Sequence, residues 1–161
     1  MPNTQLDAKF QDVVSKRPKM LIRLLSLVKK DIDARLTEII QNSGYKEFKI
    51  GDMVLLANIS PEGTINNELA KKAKITKQAM SKVVKNLTAT GFIDTRKHET
   101  DNRATVIYLT DKGKQLIIEC YAALEKISTV YTGIIGEKDT EILRDILFKL
   151  ASELHPEYFA K

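Results

Sequence analysis

Apolar residues recur at three-and-four spacing through residues 18–42, as Met20, Leu21, Leu24, Leu25, Val28, Ile32, Leu36, Ile39 and Ile40. That spacing predicts one long amphipathic helix. Pro18 suits its first turn and Gly44 its stop. At about 25 residues and about 1.5 Å per residue such a helix runs roughly 37 Å. A domain this small cannot cover that length with its own core, so part of the stripe is expected to meet another chain. A shorter apolar run in residues 50–59, with Met53, Val54, Leu55 and Leu56, predicts a buried helix that ends before the turn at Ser60, Pro61, Glu62 and Gly63.

Residues 66–73 predict a short helical stretch. After Lys74 and Ile75, Thr76 is a good N-cap for a second helix running to about residue 90, with Gly91 closing it. On a helical wheel Met80, Val83, Val84 and Leu87 share one face, Gln78, Lys82 and Lys85 lie opposite, and Ser81 sits on the flank. Residues 92–96 and 104–109 read as strands joined by a polar stretch, residues 97–103, which makes a hairpin with an extended tip. Thr110 then caps a long helix bearing Leu116, Ile117, Cys120, Leu124, Ile127, Tyr131 and Ile134. A last helix after Gly136 bears Ile142, Leu143, Ile146, Leu147, Leu150 and Leu154. The expected fold is mainly α with a two-stranded β-wing.

Charge sharpens this picture. The 161 residues hold 26 Lys+Arg against 21 Asp+Glu, a formal net charge of +5. Between Leu69 and Ile93 there is no acidic residue, yet Lys71, Lys72, Lys74, Lys77, Lys82 and Lys85 lie there, so the remainder of the chain is slightly negative. A helix with one apolar face and an opposite face that is polar, basic and free of acids is suited to a polyanion. A short helix, a tight turn, this second helix and a basic hairpin form the winged helix-turn-helix pattern, whose second helix enters a major groove. Gln78, Lys82, Lys77 and Ser81 are of the kinds that combine phosphate attraction with base-edge hydrogen bonding, and Lys85 suits a phosphate. A basic helix on a membrane or in a partner's groove needs an exposed apolar face, and here that face is committed to a core.

Other chemistry finds little support. One cysteine, Cys120, excludes an intramolecular disulfide and a paired-cysteine zinc site; it lies on an apolar stripe and reads as a buried, inert thiol. His98 and His155 have no partners at metal-ligand spacing, and no nucleophile elbow, phosphate-binding glycine loop or zinc-protease signature occurs. Neither an enzyme nor a cofactor is expected. No window approaches the roughly 20 apolar residues of a spanning helix, and residues 1–10 lack a secretory pattern. The chain is expected to be soluble and cytoplasmic, with no membrane partner.

Asn67-Glu68-Leu69-Ala70, the run from Ile75 to Leu87, and Gly91-Phe92-Ile93 follow one family's helix-turn-helix closely. Asp101-Asn102-Arg103-Ala104 is similar to its wing signature, and Leu109-Thr110-Asp111-Lys112-Gly113 to its next helix start. On these residues the chain resembles the MarR family of bacterial regulators, over nearly its whole length. The resemblance implies a single domain, residues 1–161, with dimerisation helices in residues 18–43 and 111–155 and a DNA-binding winged region in residues 50–110. It further implies a homodimer on a pseudo-palindromic double-stranded operator, acting as a repressor relieved by a small aromatic ligand held between the dimerisation helices and the winged region. Tyr45, Tyr121 and Tyr131 are candidates for such a cleft, or for core and interface positions. The expected DNA-binding set is Thr76, Lys77, Gln78, Ser81, Lys82, Lys85, Lys97, Asn102 and Arg103. Arg103 would enter the minor groove, held by Asp101 as a structural wing residue. Asn102 stands where the commonest wing carries arginine, and Lys97 where proline is frequent. The alternative is a winged helix that serves as a protein-interaction module and binds no specific operator.

Overall fold

The computed structural model describes residues 4–72, 75–98 and 104–159, with the side chain of Lys77 outside that set. The chain begins with α1 (Thr4–Lys16), a single 3-10 turn (Arg17–Lys19) and α2 (Leu21–Asn42). Pro18 therefore lies in the turn that separates two helices, and Met20 is the N-cap of α2. Proline fixes its own φ and cannot donate a backbone N–H, so it is accommodated at a break as readily as in a first turn. The pattern read from Pro18 onward misses α1, although Leu6, Phe10, Val13 and Val14 carry helical spacing there.

The run at residues 50–59 folds as a 3-10 turn (Ile50–Asp52) followed by the four-residue α3 (Met53–Leu56). This is shorter than its apolar content suggested, because Leu55 and Leu56 need only one turn to reach the core. The Ser60 to Gly63 turn is present: Gly63 has φ +89° and its N–H donates to the Ser60 carbonyl at 2.9 Å. Its positive φ favours glycine. Behind it lies β1 (Thr64–Ile65), too short to announce itself in the sequence, then α4 (Asn66–Lys72) and α5 (Lys77–Ala89).

The hairpin is β2 (Ile93–Lys97) and β3 (Thr105–Leu109), antiparallel, with Ile93 opposite Leu109 and Lys97 opposite Thr105. β1 adds to the other side of β3, so the sheet has three strands in the order β1-β3-β2. The predicted two-stranded wing is thus anchored by a third strand. Two long helices follow, α6 (Asp111–Ile135) and α7 (Glu137–Leu154), separated by Gly136 at φ +85°, and a 3-10 turn (Pro156–Tyr158) comes after them.

The core lies where the winged region meets the middle of α2 and α6. Leu56, Leu69, Met80, Leu87, Phe92, Ile107 and Leu116 are essentially sealed from solvent, and Leu36, Ile40, Cys120 and Ile127 extend this core between the two long helices. The α2–α6 pairing is also tied by polar groups. Tyr131 Oη donates to Asp31 Oδ2 at 2.7 Å, and Arg35 Nε donates to the same oxygen at 2.7 Å. These bonds, Arg35's first, hold the Asp31 carboxyl below its ordinary range. Burial, then the bond to Asp31, pushes the Tyr131 phenol up.

The two ends differ in kind from this centre. No residue of α1 or α7 is buried. Leu21 and Ile22 at the start of α2, and Ile146 and Phe148 on α7, are more than half exposed. No described helix is long and apolar enough to cross a membrane.

Candidate nucleic-acid interface

Thr76 shapes the entry to α5. Its Oγ1 accepts from the Ala79 N–H at 3.2 Å, satisfying one of the donors a helix leaves open at its first turn. The other end is fixed by Gly91, at φ +76°, whose N–H donates to the Thr88 carbonyl at 3.0 Å. Between these ends Met80 and Leu87 are sealed in the core and Val83 and Val84 are half-buried. The opposite side, with Gln78, Ser81, Lys82 and Lys85, is exposed.

Four of the sequence-predicted site residues thus share one solvent-facing surface of α5. Thr76 lies at its start, exposed, with its hydroxyl engaged in the cap. Lys77 begins the helix, and its side chain is outside the described set. Lys97 ends β2 and is exposed. Asp101, Asn102 and Arg103 lie outside the described residues.

Three features at the edge of this surface escaped the sequence reading. Arg96 stands on β2 with its guanidinium 5.0 Å from the centre of the Tyr108 ring and Nε 3.5 Å from Asp94 Oδ2, a second cation on the wing. A crevice lined by Val84, Ala89, Lys85, Thr88 and Thr95 opens between α5 and β2. Lys112, the second residue of α6, ties the interface to the long helices: Nζ donates to the Thr90 carbonyl at 2.9 Å and sits 4.4 Å over the Phe92 ring. Strand alternation could have flagged Arg96; the contacts of Lys112 are long-range and carry no local signal.

The candidates for other chemistry behave as follows. Cys120 is buried, and burial pushes its thiol up to about 11, away from thiolate reactivity. Tyr45 and Tyr131 are half-buried and hydrogen-bonded, to Glu119 at 3.1 Å and to Asp31, whereas Tyr121 faces solvent. Among the described residues no cluster of His, Cys, Asp and Glu has the makings of a metal site.

Comparison with known proteins decides the family. Residues 35–120, more than half of the chain, match the model of the transcriptional regulator SarA/Rot family. The chain belongs to the SarA/Rot family of transcriptional regulators. A relative of this SarA/Rot chain is the transcriptional regulator AdcR of Streptococcus pneumoniae, 27% identical over 140 residues that cover 78% of this chain and 96% of AdcR. Among solved structures, the transcriptional repressor CouR bound to a 23-mer DNA duplex is similar with a TM-score of 0.70 at 16% identity, over 84% of this chain and 95% of CouR. Wild-type apo MarR of E. coli has a TM-score of 0.67 at 19% identity, over 81% of this chain and 96% of MarR. The resemblance to MarR regulators and the winged-helix fold expected from the sequence are therefore borne out. The matched family and relatives are transcription regulators, not enzymes.

Proposed function

We propose that this SarA/Rot regulator is a homodimer that binds a pseudo-palindromic operator in double-stranded DNA and represses transcription until a small ligand relieves it. The observation that carries the DNA reading is the exposed face of α5, where Gln78, Ser81, Lys82 and Lys85 project from a helix without a carboxylate. Lysines there supply salt-dependent attraction through counterion release, while Gln78, Ser81 and Lys82 reach base edges. Thr76, Lys77 and the wing residues Lys97, Asn102 and Arg103 complete the contact set, with Asp101 holding Arg103. The similarity to CouR, solved on a 23-mer duplex, supports the same reading.

Dimerisation through residues 18–43 and 111–155 is supported by the bare apolar faces of α2 and α7. An amphipathic helix of 18 residues with nothing buried, as α7 is, gains its stability from a covering surface. A second copy of this chain would place two α5 helices at half-sites about 34 Å apart. For the ligand, a largely apolar cavity of about 450 Å³ opens among α2, α6 and α7, with Leu27, Val28, Tyr131 and Leu143 in its wall and Asp31 and Arg35 at hand. That is within the size range of small-molecule sites. It lies among the long helices rather than against the winged region, so a guest there would act on the dimer geometry first. Selection of bound duplexes from a random-sequence pool tests the proposal. Enrichment of a pseudo-palindrome with half-sites one helical turn apart is expected. Weak binding equal for all sequences would favour the protein-interaction module instead.

A further inference from the structure

The far end of α7 is closed by His155, whose N–H donates to the Ala151 carbonyl at 2.8 Å. Pro156 cannot continue the helix, because its ring removes a backbone donor and pushes the preceding residue out of helical backbone. The chain turns instead through Pro156–Tyr158, where the Tyr158 N–H donates to the His155 carbonyl at 3.1 Å and the Phe159 N–H to the Pro156 carbonyl at 3.0 Å. Rings hold this turn against its own helix. Phe159 meets Phe148 of α7 edge to face at 5.2 Å, and Tyr158 meets His155 at 5.9 Å.

Held in this way, Tyr158 reaches the winged region. Its Oη donates to the Lys72 carbonyl at 3.3 Å, across 86 positions of sequence. Lys72 is the last residue of α4, the first helix of the helix-turn-helix, and a helix leaves the carbonyls of its last turn without intrahelical donors. The Ala70 carbonyl is met locally, by the Ile75 N–H at 3.2 Å; the Lys72 carbonyl is met from the other end of the chain. Beside this contact lies a cavity of about 620 Å³, lined by Asn58, Glu68, Lys71, Lys72, Glu157 and Tyr158. Lys72 is paired with Glu68 at 3.3 Å, while Lys71 and Glu157 bring opposite charges from the two sides. Tyr158 is half exposed, so it bridges the edge of a cavity and can let go without opening a core.

We propose that the C-terminal turn is a clasp: Tyr158, docked on the end of α4, ties α7 to the helix-turn-helix and limits how far the winged region swings on the long helices. The main attachment of the winged region to those helices is the core around Leu36, Ile40, Leu116 and Cys120, and α7 packs on α6. A body held on one side keeps a rotation about that side. A second attachment, through a different helix, removes it. In the dimer proposed above this swing would set the spacing of the two α5 helices, a consequence that rests on that reading while the clasp itself does not.

The test compares the full chain with Tyr158→Phe and Tyr158→Ala, and with Tyr121→Phe as a control on another exposed ring. In hydrogen exchange read by mass spectrometry, Tyr158→Phe is expected to speed exchange in residues 66–72 roughly threefold and Tyr158→Ala further, with the core of α2 and α6 unchanged. For the swing, nitroxides are placed through Ala89→Cys on α5 and Glu125→Cys on α6, both exposed, while buried Cys120 stays unlabelled. The labelled chain is diluted into an excess of unlabelled protein, so that only pairs within one chain are seen. Tyr158→Ala is expected to broaden their distance distribution. Exchange in α4 that is the same in all four proteins would overturn the clasp. Faster exchange with an unchanged distance distribution would also overturn it, reducing Tyr158 to a local cap of α4. Neither readout uses DNA, so failure to find an operator would leave the result as it stands.

Discussion

Lys112 Nζ lies 2.6 Å from Glu47 Oε1, joining the first turn of α6 to the segment that follows α2. The same ammonium reaches the Thr90 carbonyl at the end of α5 and the Phe92 ring at the root of β2, so one side chain holds four parts of the fold in register. The hydrogen bond from Lys112 is the chief reason that the Glu47 carboxyl titrates below its ordinary value of 4.5. A depressed carboxylate contributes stability above its unfolded pKa, and that contribution is lost as pH falls through the folded value. Glu47→Gln is therefore expected to lower the melting temperature at neutral pH, with the gap to wild type closing as pH drops below 4.5. A gap that is constant with pH would show that the pair does not titrate as described. Lys112→Ala should cost more than Glu47→Gln, because it also removes the ring contact, about 0.5–1 kcal/mol at such a site, and the bond to the Thr90 carbonyl.

Gly113 permits the approach of α6 to the wing. It is buried, and a Cβ there would run into the Phe92 carbonyl oxygen. In an open helix glycine to alanine gains about 1 kcal/mol. Here overpacking, at about 1–3 kcal/mol, outweighs it, since the obstacle is backbone. Gly113→Ala is expected to destabilise by about 1–2 kcal/mol in urea unfolding, relative to wild type. A stabilised variant would mean that α6 and the wing root shift apart freely.

Leu24 and Leu147 are exposed in the single chain, on the apolar faces of α2 and α7. If a second copy covers them, the double variant Leu24→Asp, Leu147→Asp places charges in a buried interface at a cost of several kcal/mol. Sedimentation and circular dichroism should show dimer and cooperative folding lost together, and DNA binding with them. A stable monomer that still binds DNA would contradict an obligate dimer.

Cys120, with its thiol raised to about 11, is expected to stay unmodified when the native protein meets iodoacetamide at neutral pH, and to react fully in denaturant. Rapid native labelling would contradict the reading of Cys120 as a buried, inert thiol.

Where local chemistry decides structure, the sequence was legible. Thr76 and Thr110 both cap the helices they were expected to cap, each with its hydroxyl accepting from the backbone N–H three residues on. The faces of α5 follow the wheel, because Met80 and Leu87 have a core to enter and Lys82 and Lys85 do not. What the sequence withheld depends on distant partners. β1 is a strand only because Ile65 and Thr64 meet Val106 and Ile107 on β3, a pairing without local periodicity. The crevice beside α5 likewise joins Asn66, Thr88 and Thr95, three residues whose types alone signal nothing and whose proximity comes from the packing of α4, α5 and β2.

The central claim is that α5 reads base pairs from both halves of a dimer, and repeating the duplex selection with Gln78→Ala beside wild type tests it most directly. Wild type should enrich a pseudo-palindrome, and the variant should lose preference at one base pair in each half-site, symmetrically, with the rest of the motif retained. An identical motif from both proteins, or none from either, would contradict the account.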